Sequence, residues 1–263
     1  MPQPCPKCDG IGMRVVRQPD GRSVAEPCDC QHELRVAALL RRARIPPRYK
    51  HCNLQSFDTS FNGADDSLRR AFLRTDQFVT AYPLDTGGKG LLFTGTMGVG
   101  KTHLAVGLLL ALITERGAQA LFCDYRELLK QIQESYNPST QVTELQVLRP
   151  VFQAEVLLID DLGYIKPTEW VWDTVALILN ARYNANKTTI ITTNYPNLPA
   201  KSLRSQEDPK ISRQQRQAEE AMREETLGDR IGDRMWSRLA EMCIEVNLIG
   251  TDLRQSVKRA RFG

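Results

Sequence analysis

Short apolar runs alternate with amphipathic stretches through most of the chain. The runs Gly90–Thr94, Ala120–Cys123, Val156–Ile159, Thr188–Thr193 and Ile244–Leu248 have the length of strands, and the most apolar of them read as strands buried on both faces. Between them lie stretches with helical spacing. Ser67 to Ala81 carries Leu68, Ala71, Phe72, Phe78 and Val79, and His103 to Thr114 ends before Gly117. A helix capped by Asp124 runs through Leu128, Leu129 and Ile132, and a short one covers Glu144 to Phe152. Thr168 caps a long helix, Glu169 to about Ala185, with Val171, Val175, Ile178 and Leu179 on its inner face. Leu227, Ile231, Met235, Leu239 and Met242 form the stripe of one further helix. Strands alternating with helices predict an α/β domain around a parallel sheet.

The first fifty residues break this pattern. Met13 to Arg17 is a short strand candidate between the turns Gly10-Ile11-Gly12 and Pro19-Asp20-Gly21. A helix spans Gln31 to Arg44 and stops at Ile45-Pro46-Pro47, because proline cannot continue it. We therefore divide the chain into a small module at 1–45 and a main domain at 46–263. Arg48 to Phe61 has no periodicity. Residues 201–226, rich in Arg, Gln and Glu, read as a solvated helix or insertion.

Composition changes this picture little: 41% hydrophobic and 25% charged residues are ordinary for a globular protein. No apolar run nears the roughly 20 residues that span a bilayer, and the start lacks the regions of a signal peptide. The expectation is a cytoplasmic protein with no membrane contact. Charge is more informative once divided. Residues 1–50 hold ten Lys and Arg against five Asp and Glu, a net of +5, and the remainder holds 25 against 26, a net of −1. A basic piece on a near-neutral body suggests an anionic partner, or a solvated arginine-rich helix.

Four of the seven cysteines fall in the first thirty residues, as Cys5-x-x-Cys8 and Cys28-x-Cys30. Two chelating pairs joined by a loop of this length suit a structural Zn²⁺ in a module too small to build its own core. His32 stands as an alternative to Cys28 or Cys30. Cys52, Cys123 and Cys243 are isolated and read as packing residues, as do Trp170 and Trp172.

The strongest motif is Gly95-Thr96-Met97-Gly98-Val99-Gly100-Lys101-Thr102, which fits G-x-x-x-x-G-K-[ST] at every fixed position, after a strand and before a helix. Its glycines let backbone N–H groups curl around a phosphate, Lys101 reaches the β- and γ-phosphates, and Thr102 ligates Mg²⁺. The helix starting at His103 points its positive end at the same place. Gly95 to Thr102 with His103 is thus the expected binding stretch for a nucleoside triphosphate. About sixty residues on, Val156-Leu157-Leu158-Ile159 ends in Asp160-Asp161. At the carboxyl end of a parallel strand, Asp160 would hold the Mg²⁺ shell and Asp161 would polarise the attacking water. Asn194, at the next strand tip, is placed to orient that water. Arg230, Arg234 and Arg238 recur every four residues, and one of them projecting into a neighbouring subunit would supply a cation to the transition state.

These residues resemble the AAA+ ATPases of the DnaC/DnaI helicase-loader and IstB transposition-helper kind. The resemblance rests on Gly95 to Ala105, Leu158-Ile159-Asp160-Asp161-Leu162-Gly163, Ile191-Thr192-Thr193-Asn194, Ser237-Arg238-Leu239, Glu241-Met242-Cys243 and Gly250-Thr251-Asp252-Leu253-Arg254, and covers about residues 45–255. It implies a three-layer domain with a five-stranded parallel sheet in the order 5-1-4-3-2, Asn194 as sensor 1 and Arg238 as the arginine finger. Arg230 and Arg234 are reserve candidates. The chain stops soon after its last strand, so we expect no helical lid and assign Arg254 no sensor role. The cysteine module resembles the helicase-binding domain of DnaI-type loaders. The resemblance implies an ATPase stimulated by DNA or a partner, self-associating through its ATP site, that places a replicative helicase on single-stranded DNA. Two alternatives stay open: a transposition helper binding duplex DNA and transposase, and a zinc-containing adaptor that binds ATP without hydrolysing it.

Overall fold

The computed structural model describes residues 5–9, 11–19, 21–61, 64–200 and 225–253. Gly10 and Asp20 of the two amino-terminal turns, residues 201–224 of the polar stretch, Arg254 and the basic residues Lys258, Arg259 and Arg261 lie outside the described residues.

Strands β1 (Met13–Arg17) and β2 (Ser23–Pro27) form an antiparallel hairpin in which Val15 faces Ala25. Helix α1 (Asp29–Arg42) follows, and two single 3-10 turns, Pro47–Tyr49 and Leu54–Ser56, occupy the stretch without periodicity. The main domain begins with α2 (Asp66–Ala81), capped by the Asp65 carboxylate, which accepts from Ser67 N. Then come β3 (Gly90–Gly95), α3 (Lys101–Arg116), β4 (Ala120–Asp124), α4 (Tyr125–Ser135), α5 (Glu144–Gln153), β5 (Val156–Asp160), α6 (Glu169–Asn184) and β6 (Thr188–Thr192). Helices α7 (Leu227–Ile231) and α8 (Asp233–Met242) lead to β7 (Cys243–Leu248).

The five strands β3 to β7 make one parallel sheet in the order β4-β5-β6-β3-β7. Counted from β3 and read from the β7 edge this is 5-1-4-3-2, the order implied by the resemblance. Every residue of β5 and β6 is buried, as continuous apolar runs in a covered parallel sheet require. One face packs on α2, α3 and the end of α1 around Leu68, Phe78, Phe93, Leu108 and Leu112. The other packs on α4 to α8 around Leu121, Ile132, Leu157, Ile178 and Leu239. The connection after α1 ties itself to the outer strand through Phe122 N, which donates to Ala43 O at 2.8 Å. Leu39, Leu40 and Ile45 pack on the same core, so the end of the amino-terminal helix rests against the main domain. Among the described residues no helix is long and apolar enough to cross a membrane.

Two features depart from the sequence reading. The hairpin has a second strand, β2, that its sequence Ser-Val-Ala-Glu-Pro hardly marks. The single helix expected from Leu227 to Met242 is two helices, broken at Gly232 (φ 81°, ψ 149°). Glycine disfavours helix interiors and takes positive φ without a Cβ clash, while Thr226 and Asp229 form a capping box on the first piece. All five apolar residues of the stripe are buried. The break takes Arg230 out of line with Arg234 and Arg238.

Burial of Arg182 is complete, and no pattern in the sequence pointed to it. Its guanidinium donates to Val151 O (2.9 Å), Ala154 O (3.0 Å), Thr188 O (2.6 Å), Glu155 O (3.4 Å) and Thr189 Oγ1 (2.9 Å). It thereby satisfies carbonyls at the end of α5 and at the start of β6. Burial lowers its pKa to about 10, leaving it charged at neutral pH. Arg182→Met is expected to lower unfolding free energy by about 3–5 kcal/mol, because it strands buried acceptors. Urea unfolding followed by circular dichroism measures this.

Candidate nucleotide site and cysteine cluster

The carboxyl ends of β3, β5 and β6 converge on one place, and the candidate residues meet there. Gly95, Gly98 and Gly100 all have positive φ (131°, 76° and 104°). A side chain on Gly95 would collide with the carbonyl oxygen of Leu248 on the neighbouring strand, so this corner accepts glycine alone. Helix α3 starts at Lys101, two residues before the sequence suggested.

Lys101 is 5% exposed, and its ammonium donates to Gly95 O (2.8 Å), Thr96 O (2.7 Å) and Asn194 Oδ1 (2.7 Å). An ammonium only donates, so the Asn194 amide must turn its oxygen to Lys101 and its NH₂ elsewhere. That NH₂ donates to Asp161 Oδ1 at 3.2 Å. Asn194 therefore joins the lysine of one loop to the carboxylate of another. Asp161 adopts φ 57°, and its N–H donates to Thr192 Oγ1 at 2.9 Å, which holds it in this uncommon backbone region.

Asp160 is 3% exposed and accepts from Thr192 Oγ1 (2.6 Å) and Thr102 Oγ1 (2.9 Å). Burial raises its pKa to about 6, with the Asp161 charge adding to the rise and the two hydroxyls opposing it. A buried carboxylate beside a threonine hydroxyl is the donor set a hard cation such as Mg²⁺ takes, so the residues fit that ion.

His103 lies at the side of this group. Its Nε2 is 2.9 Å from Ser56 Oγ and 3.2 Å from Asn53 O, and its ring meets Phe57 edge-on at 5.6 Å. Phe57 Cε2 lies beside Gly100, so residues 53–57 pack along the start of α3. Nothing in the periodicity of Arg48 to Phe61 marked this segment. A second contact comes from beyond β7: Thr96 Oγ1 donates to Gly250 O at 3.0 Å, and Leu253 N donates to Gly98 O at 3.2 Å. The Gly250–Leu253 segment thus straps the phosphate loop. Met97, at the loop tip, is 71% exposed.

The three arginines have different surroundings. Arg238 donates to Asn180 Oδ1 and lies 5.6 Å over the Tyr183 ring, whose hydroxyl donates to Glu241. Arg234 is exposed. Arg230 pairs with Glu225 at 2.6 Å, lies 4.4 Å over the Tyr195 ring and is largely buried, which ties it into its own chain. Among the described residues, the bonds of Arg238 are to α6 and not to the phosphate loop.

The cysteines of the hairpin also come together. All four sulfurs lie within 4.8 Å of one another, with Cys5 to Cys28 at 3.9 Å and Cys8 to Cys30 at 3.5 Å. Four sulfurs at about 2.3 Å from a tetrahedral centre stand about 3.8 Å apart, so this set fits a zinc-type site. Gly12 N donates to Cys8 Sγ at 3.3 Å, an N–H···S contact suited to a thiolate. Hydrogen bonding among the neighbouring thiols, Cys28 first, pushes the Cys30 thiol up; a bound cation reverses that preference. His32 is exposed and outside the group. Cys52 and Cys243 are buried, and Cys123 is partly so.

Comparison with known proteins matches residues 23–211, more than half of the chain, to the family model of IstB-like ATP binding proteins. The chain belongs to that family. It is 21% identical over 161 residues to the replicative helicase loader DnaC of Escherichia coli K12, covering 61% of this chain and 62% of that one. The chain therefore matches less than two thirds of the length of that relative. Among solved structures, a crystal structure of the DnaC helicase loader superposes with a TM-score of 0.59 at 29% identity, covering 77% of this chain and 99% of that one. A DnaI crystal structure shares the fold, with a TM-score of 0.55 at 22% identity, over 80% of this chain and 94% of that one. The fold of this IstB-like chain is that of an AAA+ ATPase of the DnaC/IstB kind.

Proposed function

We propose that this IstB-like protein is an ATP-hydrolysing switch that acts in DNA replication as a helicase loader. The observation that carries the reading is the bond chain Lys101–Asn194–Asp161 beside the pair Thr102–Asp160. It brings Lys101, the Thr102–Asp160 pair that fits Mg²⁺ and the Asp161 carboxylate together, which supports those roles in ATP hydrolysis. ATP binding exchanges the two carbonyl partners of Lys101 for phosphate oxygens. Thr102 and Asp160 would hold Mg²⁺, which would supply positive charge at the phosphates. Asp161, held by Asn194, orients water in line with the γ-phosphate. Among the described residues Arg230 and Arg238 are bonded within their own chain away from the phosphate loop, so we assign the transition-state cation to Arg238 of a second copy. The partner assignment, a replicative helicase, follows the likeness to the replicative helicase loader DnaC, and single-stranded DNA is the polyanion this reading adds.

In this reading residues 1–45 form a zinc-holding module and 46–263 the ATPase domain. Zinc gives the hairpin the stability its small size denies it. Purified protein is expected to carry about one zinc per chain, and Cys28→Ser is expected to lose it and to expose the hairpin to protease. Full stability without metal would count against the module. The loader reading is tested by single-turnover ATP hydrolysis with and without single-stranded DNA, together with capture of helicase from native lysate. Stimulation and helicase recovery support it. The family match also favours a second reading, a transposition helper, and recovery of transposase on duplex DNA with no helicase would establish that one instead.

A further inference from the structure

Positive charge gathers where α1 ends. From Gln31 to Lys50 the chain holds Arg35, Arg41, Arg42, Arg44, Arg48 and Lys50 against one acid, Glu33. Several surface cations elsewhere are paired: Lys7 and Arg14 with Asp29, Arg69 and Arg70 with Asp66, and Lys130 with Glu134. In this group Arg48 lies 4.8 Å over the Tyr49 ring. Arg41, Arg42 and Arg44 line one crevice of about 350 Å³ between the end of α1, the start of β4 and the end of α5, with Gln119, Pro150 and Gln153 also on its wall.

The helix dipole favours cations in the last turn of α1, which accounts for Arg41 and Arg42. It does not account for Arg44, Arg48 and Lys50, which lie beyond the helix. Acids border this group, but among the described residues none forms an ion pair with Arg41, Arg42 or Arg44. Glu155 accepts from Gln119 N at 2.8 Å, and Asp124 and Glu127 line a neighbouring smaller crevice with Arg44, where Asp124 caps α4 by accepting from Glu127 N at 3.0 Å. Guanidiniums that share a crevice with no ion pair among the described residues repel one another, and a polyanion relieves that repulsion. The crevice adjoins Ala120 and Leu121, at the start of β4, whereas the nucleotide residues sit at the strand ends. An anion held here is therefore not the nucleotide.

We propose that this crevice holds the phosphodiester backbone of single-stranded DNA by charge, without reading bases. The inference rests on the reading of the chain as a DNA-associated switch and adds the location of contact. The test compares two triple variants of equal charge change, Arg41→Ala/Arg42→Ala/Arg44→Ala in the crevice and Arg69→Ala/Arg70→Ala/Arg74→Ala on α2. Binding of a fluorescent oligothymidylate is followed by anisotropy across a salt series, with ATP binding as the check on folding. The crevice variant is expected to bind about tenfold or more weakly and to lose about 2 from the slope of log K against log salt, as three lost phosphate contacts imply. The α2 variant should change neither. A wild-type slope in the crevice variant, or equal losses in both variants, overturns the inference while leaving the switch intact. A wild-type protein that binds no single-stranded DNA overturns both. A loss confined to duplex DNA, or to polyglutamate used as an acidic-peptide probe, overturns the assignment to a single strand.

Discussion

Lys101→Ala is expected to weaken ATP binding by about 100-fold or more while leaving the fold intact. The ammonium is 5% exposed and already sits among acceptors, so a phosphate arriving there meets a desolvated cation. Hydrogen bonds to charged groups contribute about 1.5–3 kcal/mol each, and Lys101 would make at least two to the phosphates. Alanine also leaves Asn194 Oδ1 without the donor that fixes its amide, so Asp161 loses its orientation as well. Binding is read with a fluorescent ATP analogue, and circular dichroism verifies the fold. Near-normal binding would remove the phosphate loop from its assigned role.

Arg238→Ala is expected to leave ATP binding unchanged and to reduce stimulated hydrolysis by about 10³–10⁵, the range a transition-state arginine contributes. In its own chain Arg238 bonds to Asn180 and covers Tyr183, both partly exposed, so its removal strands no buried charge. Arg230→Ala should behave differently. That side chain is nearly buried, paired with Glu225 and stacked on Tyr195, so its loss lowers stability before it affects turnover. Arg234→Ala, exposed on the first turn of α8, serves as the control. Undiminished turnover in the Arg238 variant would refute the finger assignment.

Much of this was legible in the residues. Parallel strands buried on both faces show as unbroken apolar runs, and the four apolar residues Val156 to Ile159 mark β5, which also takes in Asp160. Thr168 and Asp124 announced their helices because a cap is a local side-chain-to-backbone bond. What was hidden depends on contacts between distant parts of the chain. The five bonds of Arg182 reach α5 and β6, and no local pattern encodes them. Gly232 was masked by an apolar stripe that keeps its period across the break, since both short helices bury the same face. His103 and residues 53–57 meet only after the fold forms. The Asn194 bridge was half visible: its strand-tip position suggested a polar role, but the lysine and carboxylate it joins come from two other loops.

A site completed by a second subunit is the central claim, and subunit mixing tests it most directly. Lys101→Ala chains keep Arg238 but cannot hold ATP, and Arg238→Ala chains hold ATP but lack the cation. Each variant alone is expected to show basal hydrolysis only. Mixed in equal amounts with single-stranded DNA, they should recover a substantial fraction of wild-type turnover, because an Arg238→Ala site can be completed by a Lys101→Ala neighbour. Turnover that stays basal at every mixing ratio, in mixtures shown to co-assemble, would contradict the account.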